Sequence, residues 1–512
     1  MNLTLINGKI YTFNPKMPVT SHMVIRYGRI VYIGDSISKA LRIGEGSKII
    51  DLEGKVVLPT FVDAHLHLTS LALSRLWLDL RNIKSIRELK KLIKEASLKC
   101  KTYWILGRGW DQEKFDERRM PTRWDLDEVV PDRPVLLIRI CGHIAVANTK
   151  ALQITNLLDK KDNPYIDVED GKVTGILCED MVDYILKMVP KPRFNVFKKL
   201  LHQTLSDLLS YGIGLVGSMC SDSTEFKALQ KLNMENSLNI KARLYFNSKY
   251  LKHLSKLGII TKFGNEHLKV MGIKLFADGS FGGRTAALRE PYDDDPSNRG
   301  TLLLTSNEIY KLFKKITGIG LDVAIHCIGD KALEEITQAL KRLSRRARYH
   351  IRIEHASLTP PDLINELREN PPRAIVVQPH FVKSDWWLEK RLGRRSKYTY
   401  MFKTLLKGGF LLAGSSDAPV EPFNPWLSIQ VAASRDHESL TLNDALSIYV
   451  LGGRVALLEE YTYLCEGAPA DIQVYSIDPI KYSVKSLDKL KPQIVIVGGN
   501  IVYRSEEVGR EK

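Results

Sequence analysis

The chain has 512 residues, 44% of them hydrophobic and 26% charged, which excludes a small module and suits a large soluble core with a smaller domain beside it. Six cysteines (Cys100, Cys141, Cys178, Cys220, Cys327 and Cys465) lie far apart with no CxxC pair, which excludes a short disulfide framework and favours thiols in a reducing compartment. The 75 Lys and Arg against 59 Asp and Glu give a net charge of +16, which raises the question of a nucleic-acid or membrane partner. The excess is spread out, however. Of its two local runs, residues 341–352 read as the solvated end of a helix. Residues 383–403, where Arg391, Arg394, Arg395 and Lys397 follow two tryptophans, read as a basic loop over a pocket or a nucleic-acid patch. With no nucleic-acid-binding motif elsewhere, solvated surface is the expectation for both, and no nucleic-acid partner is expected.

The N-terminus, MNLTLINGKIYTFN, alternates polar and apolar residues and lacks the apolar core of a signal peptide. No stretch reaches the roughly 18 to 20 apolar residues of a membrane span, so a soluble cytoplasmic protein is expected. Short strands follow, LTLINGKIYTF, MVIRYGRIVYIG and IIDLEGKVVLP, with Asn7-Gly8 and Tyr27-Gly28 as turn signals. The far end has the same texture in residues 471–476, 492–499 and 500–503. The two ends, 1–57 and 459–505, are predicted to assemble one composite β-sandwich. Between them, in 58–458, apolar runs alternate with helical patterns, which predicts a parallel sheet with crossover helices. Eight strands can be placed at 60–68, 212–219, 242–248, 272–279, 322–329, 351–357, 374–380 and 409–419. Eight closes a (β/α)8 TIM-like barrel, and polar residues gather at the C-terminal ends of the runs, where such barrels build active sites. Residues of about 69–205 exceed one βα unit and read as an inserted subdomain, expected to cap the barrel mouth.

The sharpest local signal is Asp63-Ala64-His65-Leu66-His67 at the end of the first barrel strand. Residues two apart in a strand share a face, so both imidazoles can address one ion. Alone, such a pair also fits merely packed histidines. Four other strand ends add Lys274, His326, His355 and Asp417, and imidazole with carboxylate suits zinc and similar divalent ions.

The segments LPTFVDAHLHL, IKLFADGSFGGRTAAL, AIHCIGDKAL, RIEHASL and GSSDAPVEPFNPW together resemble the amidohydrolase superfamily. Within it they are similar to the YtcJ-like group that includes N-substituted formamide deformylases. The resemblance covers nearly the whole chain, with departures at Pro59-Thr60, at Gly467-Ala468-Pro469-Ala470-Asp471 and in the late helix. It implies that His65 and His67 hold one metal shared by Asp417, that His326 and His355 hold a second, and that Lys274 bridges two zinc ions as an N6-carboxylated lysine. An ammonium would be repelled by the cations, whereas a carbamate is an anionic oxygen ligand. The alternative is an unmodified Lys274 paired with Asp278 in a single-metal enzyme.

The activity so implied is hydrolysis of carbon-nitrogen bonds other than peptide bonds, in an amide, N-substituted formamide or cyclic amide, by a metal-activated hydroxide. Asp417 would accept the proton and deliver it to the leaving nitrogen. Deamination of an amino-heterocycle and an inactive binding scaffold are the other readings. His143 would donate to the substrate oxygen or serve as a structural histidine. Trp110 and Asp111 would face the site or form a packed aromatic with an N-cap. Gly279 and Ser280 would shape a loop beside Arg284, which could clamp an acidic group, and His380 would meet substrate. Cys327 is expected in the core. A small amide-like molecule is the expected partner, and a homodimer is a common outcome for such barrels.

Overall fold

A computed structural model describes residues 1–99, 102–140 and 144–505, apart from the side chain of Asp183. Eight parallel strands, in sequential order, form the central sheet: β1 (Phe61–Leu66), β2 (Ile213–Ser221), β3 (Lys241–Asn247), β4 (Leu268–Phe276), β5 (Asp322–Cys327), β6 (Ile351–His355), β7 (Ala374–Val377) and β8 (Leu412–Gly414). Parallel strands covered on both faces read as continuous apolar runs. Accordingly, every residue of β1, β6, β7 and β8 is buried.

Ladder pairing links each strand to the next from β1 to β8. The last gap is bridged just beyond β8, where Asp417 N–H donates to the His65 carbonyl at 2.8 Å and His67 N–H donates to the Ala418 carbonyl at 2.8 Å. The sheet is therefore the expected barrel, and its closing bonds fall on three of the residues singled out for metal.

The eighth strand is shorter than its sequence suggests. Beyond Gly414 the backbone leaves the ladder, and Ser416 donates from both N–H and Oγ to the buried Asp63 carboxylate. A side chain of β1 thus takes the place of the strand pairing predicted beyond Gly414. Crossover helices carry ordinary start signals. In Ser306–Gly318, Thr305 and Glu308 form a capping box, and Pro361–Glu369 opens on proline.

The two chain ends build a four-stranded sheet, in the order 29–34, 22–26, 3–6, 48–51, and a six-stranded sheet, in the order 500–504, 494–497, 472–475, 56–59, 9–14, 17–20. They share one core, in which Leu3, Leu5 and Ile25 meet Val57, Ile472 and Ile496. That is the sandwich architecture expected of alternating strands. The strand Val56–Pro59 pairs antiparallel with Ile472–Tyr475, and only Thr60 separates it from β1.

Residues Leu73–Phe197 form a separate compact unit. Its six-stranded mixed sheet, in the order 166–169, 172–178, 144–147, 135–139, 105–110, 77–79, is buried on both faces. Leu106, Leu136 and Ile138 serve one core, and Ile105, Val135 and Leu137 serve the other, beneath the helix Ile86–Lys99. Alternation of side chains along each strand produces the two layers.

Candidate metal centre

His65 ends no strand by chance. Its carbonyl closes the barrel, and its ring is fixed from behind by Glu354, whose Oε2 lies 2.5 Å from Nδ1. Glu354 is itself gripped by Arg352, Nε to Oε1 at 2.5 Å and Nη2 to Oε2 at 2.9 Å. Burial alone would raise the Glu354 carboxyl, but the charges of Arg352 and His65 outweigh it and hold the group well below the usual carboxylate range. Nδ1 of His65 is thereby committed, and Nε2 faces forward with no hydrogen-bond partner although buried.

Forward of it lies Asp417, whose Oδ1 is 3.2 Å from His65 Nε2 and 3.1 Å from His67 Nε2. Oδ1 is also buried without a hydrogen-bond partner. Burial would raise the Asp417 carboxyl, yet the imidazoles of His65 and His67 keep it well below its ordinary value. His65, His355 and Asp417 each bring one donor atom to within 4.8 Å of the others. His355 is oriented in the same manner as His65, its Nδ1 lying 2.7 Å from Gln378 Oε1. The His326 ring stands 4.5 Å from the His355 ring, with its Nε2 2.8 Å from the Gly279 carbonyl. Burial pushes both down, His326 to about 3 and His355 well below the usual imidazole value, assisted by Lys274 for the first and His326 for the second. Both are neutral rings, the form that ligates metal.

Lys274 lies in β4 with 1% exposure, and its Nζ has no hydrogen-bond partner. Burial lowers its pKa, against the pull of Glu354, Cys220 and Asp417. The pairing with Asp278 does not occur. That carboxylate is spent on the backbone N–H groups of Ala287, Ile328 and Gly329 at 2.7–3.0 Å. A buried imidazole nitrogen, carboxylate oxygen and amine left unpaired in one place is rare, because each costs free energy when unmet. Divalent cations would satisfy the first two directly, and a carbamate would satisfy the third. His355 and Asp417 also hold left-handed backbone, at φ 70° and 59°, a strain of about 1–3 kcal/mol each of the kind kept at functional sites.

Other predicted residues are placed differently. Trp110 is fully buried in the core of the inserted unit, and its Nε1 donates to the Leu137 carbonyl at 3.0 Å. Asp111 caps the short turn Gln112–Lys114 and takes Arg139 Nη2 at 2.9 Å, so it is structural as well. Arg284 is not a free clamp, since Asp294 engages its Nε at 3.2 Å and Nη2 at 2.9 Å. Gly279 and Ser280 do form the loop after β4. Gly279 carries the carbonyl on His326, and a Cβ there would fall 2.2 Å from Thr285 Oγ1. Ser280 Oγ accepts from Gly283 N–H at 3.2 Å. His380 Nδ1 is bonded to the buried Glu421. His143 lies outside the described residues. Cys327 is fully buried, as expected.

Glu354, Gln378 and Glu421 escaped the sequence reading. Signals were present for the first two: Glu354 adjoins His355, and Gln378 precedes His380 within QPH. Ligating histidines almost always need such a partner on the second ring nitrogen.

A model described as amidohydrolase family matches residues 48–503. YtcJ of Bacillus subtilis, which carries the amidohydrolase name, is 33% identical over 482 residues, covering 89% of this chain and 90% of that one. The N-substituted formamide deformylase of Arthrobacter pascens is 22% identical, covering 99% of each. A solved structure, an uncharacterized metal-dependent hydrolase from Pyrococcus furiosus, superposes with a TM-score of 0.82 at 38% identity, covering 94% of this chain and 100% of that one. With matches running almost end to end, this chain belongs to the amidohydrolase family.

Proposed function

We propose that the protein is a metal-dependent hydrolase of non-peptide carbon-nitrogen bonds in small amides, formamides or cyclic amides. The observation that carries this reading is the convergence of His65 Nε2 and Asp417 Oδ1, 3.2 Å apart and each buried without a hydrogen-bond partner, with the Lys274 amine likewise buried without one. In this reading His65, His67 and Asp417 hold one divalent ion, His326 and His355 hold another, and carboxylated Lys274 joins them. The imidazole and carboxylate set favours zinc. Ions held there would supply a nucleophile at neutral pH and polarise a carbonyl.

The chain's own groups do the rest. Glu354 and Gln378 keep His65 and His355 in one tautomer and one orientation. Asp417, kept ionised by its imidazole neighbours, accepts the proton released as the nucleophile forms and returns it to the departing nitrogen. The closing bonds, Asp417 N–H to the His65 carbonyl and His67 N–H to the Ala418 carbonyl, fix that carboxylate against the histidine pair.

The test is metal analysis joined to a panel of amides, lactams and amino-heterocycles. About two zinc ions per chain and turnover of amides, lost on chelation and restored by zinc, are expected. One ion per chain with release of ammonia from an amino-heterocycle would replace this reading with deamination.

A further inference from the structure

We infer that Phe276 selects the substrate by presenting an aromatic face at the metal site, and that favoured amides carry a bulky apolar group beside the scissile bond. This rests on the amide reading above and names the substrate class within it. Phe276 is the last residue of β4, two beyond Lys274, so both side chains leave the same face of the strand. Its ring centroid lies 5.3 Å from Lys274 Nζ and 5.4 Å from the His326 ring, and His326 is its register partner in β5.

Phe276 is 39% exposed, although Lys274, Ala277 and Asp278 around it are at most 1% exposed. Single exposed aromatics are common on surfaces. This one stands against two of the residues that would hold metal, where a substrate must come to rest.

The loop after β4 extends the apolar wall. Gly279 at its start holds His326, and a Cβ on Gly282 would lie 4.0 Å from the indole of Trp387. Charge is answered internally along this wall. Arg391 stacks 4.5 Å from the Trp387 ring and donates to the Phe281 and Gly282 carbonyls, while Arg284 is held by Asp294. A carboxylate on the substrate would meet cations already engaged, whereas an apolar group would meet a bare ring.

The experiment uses zinc-loaded protein and the N-cyclohexyl, N-methyl and N-carboxymethyl amides of one acid, whose leaving amines have comparable basicity. Wild type is expected to favour the N-cyclohexyl amide over either other by at least about tenfold in kcat/KM. Phe276→Ala should bring the three within about threefold of one another, and Phe276→Leu should retain most of the preference, both with unchanged zinc content. Calorimetric binding of the ketone isostere of the N-cyclohexyl amide, which has no bond to cleave, should weaken about tenfold in Phe276→Ala. Absence of turnover with that Phe276-dependent binding intact would overturn the amide reading and uphold the aromatic subsite. Preference for the N-methyl or N-carboxymethyl amide, or selectivity and binding indifferent to Phe276→Ala, would overturn the subsite.

Discussion

Asp417 and His65 are joined twice, through the backbone at 2.8 Å and through Oδ1 and Nε2 at 3.2 Å. The first link closes the barrel and the second builds the site, so the position of the carboxylate is set by main chain that a side-chain replacement leaves in place. Asp417→Asn should therefore fold, keep most of its zinc and lose turnover by about 10²- to 10⁴-fold, the range for a removed general acid-base group. Near-normal kcat in a zinc-loaded Asp417→Asn protein would remove Asp417 from proton transfer.

Glu354 accepts from His65 Nδ1 and from Arg352 Nε and Nη2. Glu354→Gln should lower zinc affinity by roughly 10- to 100-fold, read by competition with a chelator. Glu354→Ala should in addition destabilise the fold by about 3–5 kcal/mol, because Arg352 is left as a buried charge without its partner. Unaltered zinc affinity in Glu354→Gln would show that the His65 tautomer is set elsewhere.

Only the neutral amine of Lys274 can combine with CO2, and burial lowers its pKa from the ordinary lysine value. Zinc loading in bicarbonate should accordingly increase with pH as the amine loses its proton, and fall when acid releases CO2. Lys274→Arg, which cannot form the carbamate, should bind about one ion per chain in place of about two. Native mass spectrometry of the wild-type protein should show the added mass of one CO2, and an unmodified chain carrying two ions would refute the bridge.

Asp385 accepts the Tyr400 hydroxyl at 2.5 Å, and burial pushes its carboxyl up to about 6, from an ordinary 3.8. A carboxyl raised on folding favours the native state while it is protonated. Its contribution is full below about pH 4 and is lost as pH rises through about 6, a change on the order of 3 kcal/mol. Asp385→Asn should flatten that part of the stability profile relative to wild type, measured by urea unfolding across pH 4–7. Parallel profiles for the two proteins would place the Asp385 pKa near its unfolded value.

Trp110 belongs to the core of the inserted unit, so Trp110→Ala should cost about 3–5 kcal/mol of stability, seen as a lowered unfolding midpoint. Trp110→Phe should cost much less and leave KM unchanged. A KM effect in Trp110→Phe without loss of stability would return this residue to substrate binding.

Much of the architecture was legible because parallel barrel strands are continuous apolar runs with polar ends, and five such ends carried the six residues proposed to hold metal. Trp110 and Arg284 misled for a shared reason. A motif gives residue type and rough location, but not which neighbour satisfies the side chain. The Leu137 carbonyl on Trp110 and the Asp294 carboxylate on Arg284 are chosen by packing and by loop path. The eighth strand was drawn too long because the apolar run ending at Ala413 was carried on through the polar residues 415–419, while the competing acceptor, Asp63, sits far away in sequence. Glu354 was passed over as an ordinary strand residue, although its place beside a ligand histidine was visible.

The strand Val56–Pro59, which feeds β1 across a single residue, is paired to Ile472–Tyr475. All six candidate ligands lie before residue 418, yet the segment that braces the first two of them is synthesised far later. On the ribosome, a chain that already contains every metal-binding side chain still lacks the neighbour that seats His65 and His67. Deletion of residues 472–504 should therefore leave a chain with all six candidate ligands but a weakened affinity for zinc, measured by competition with a chelator.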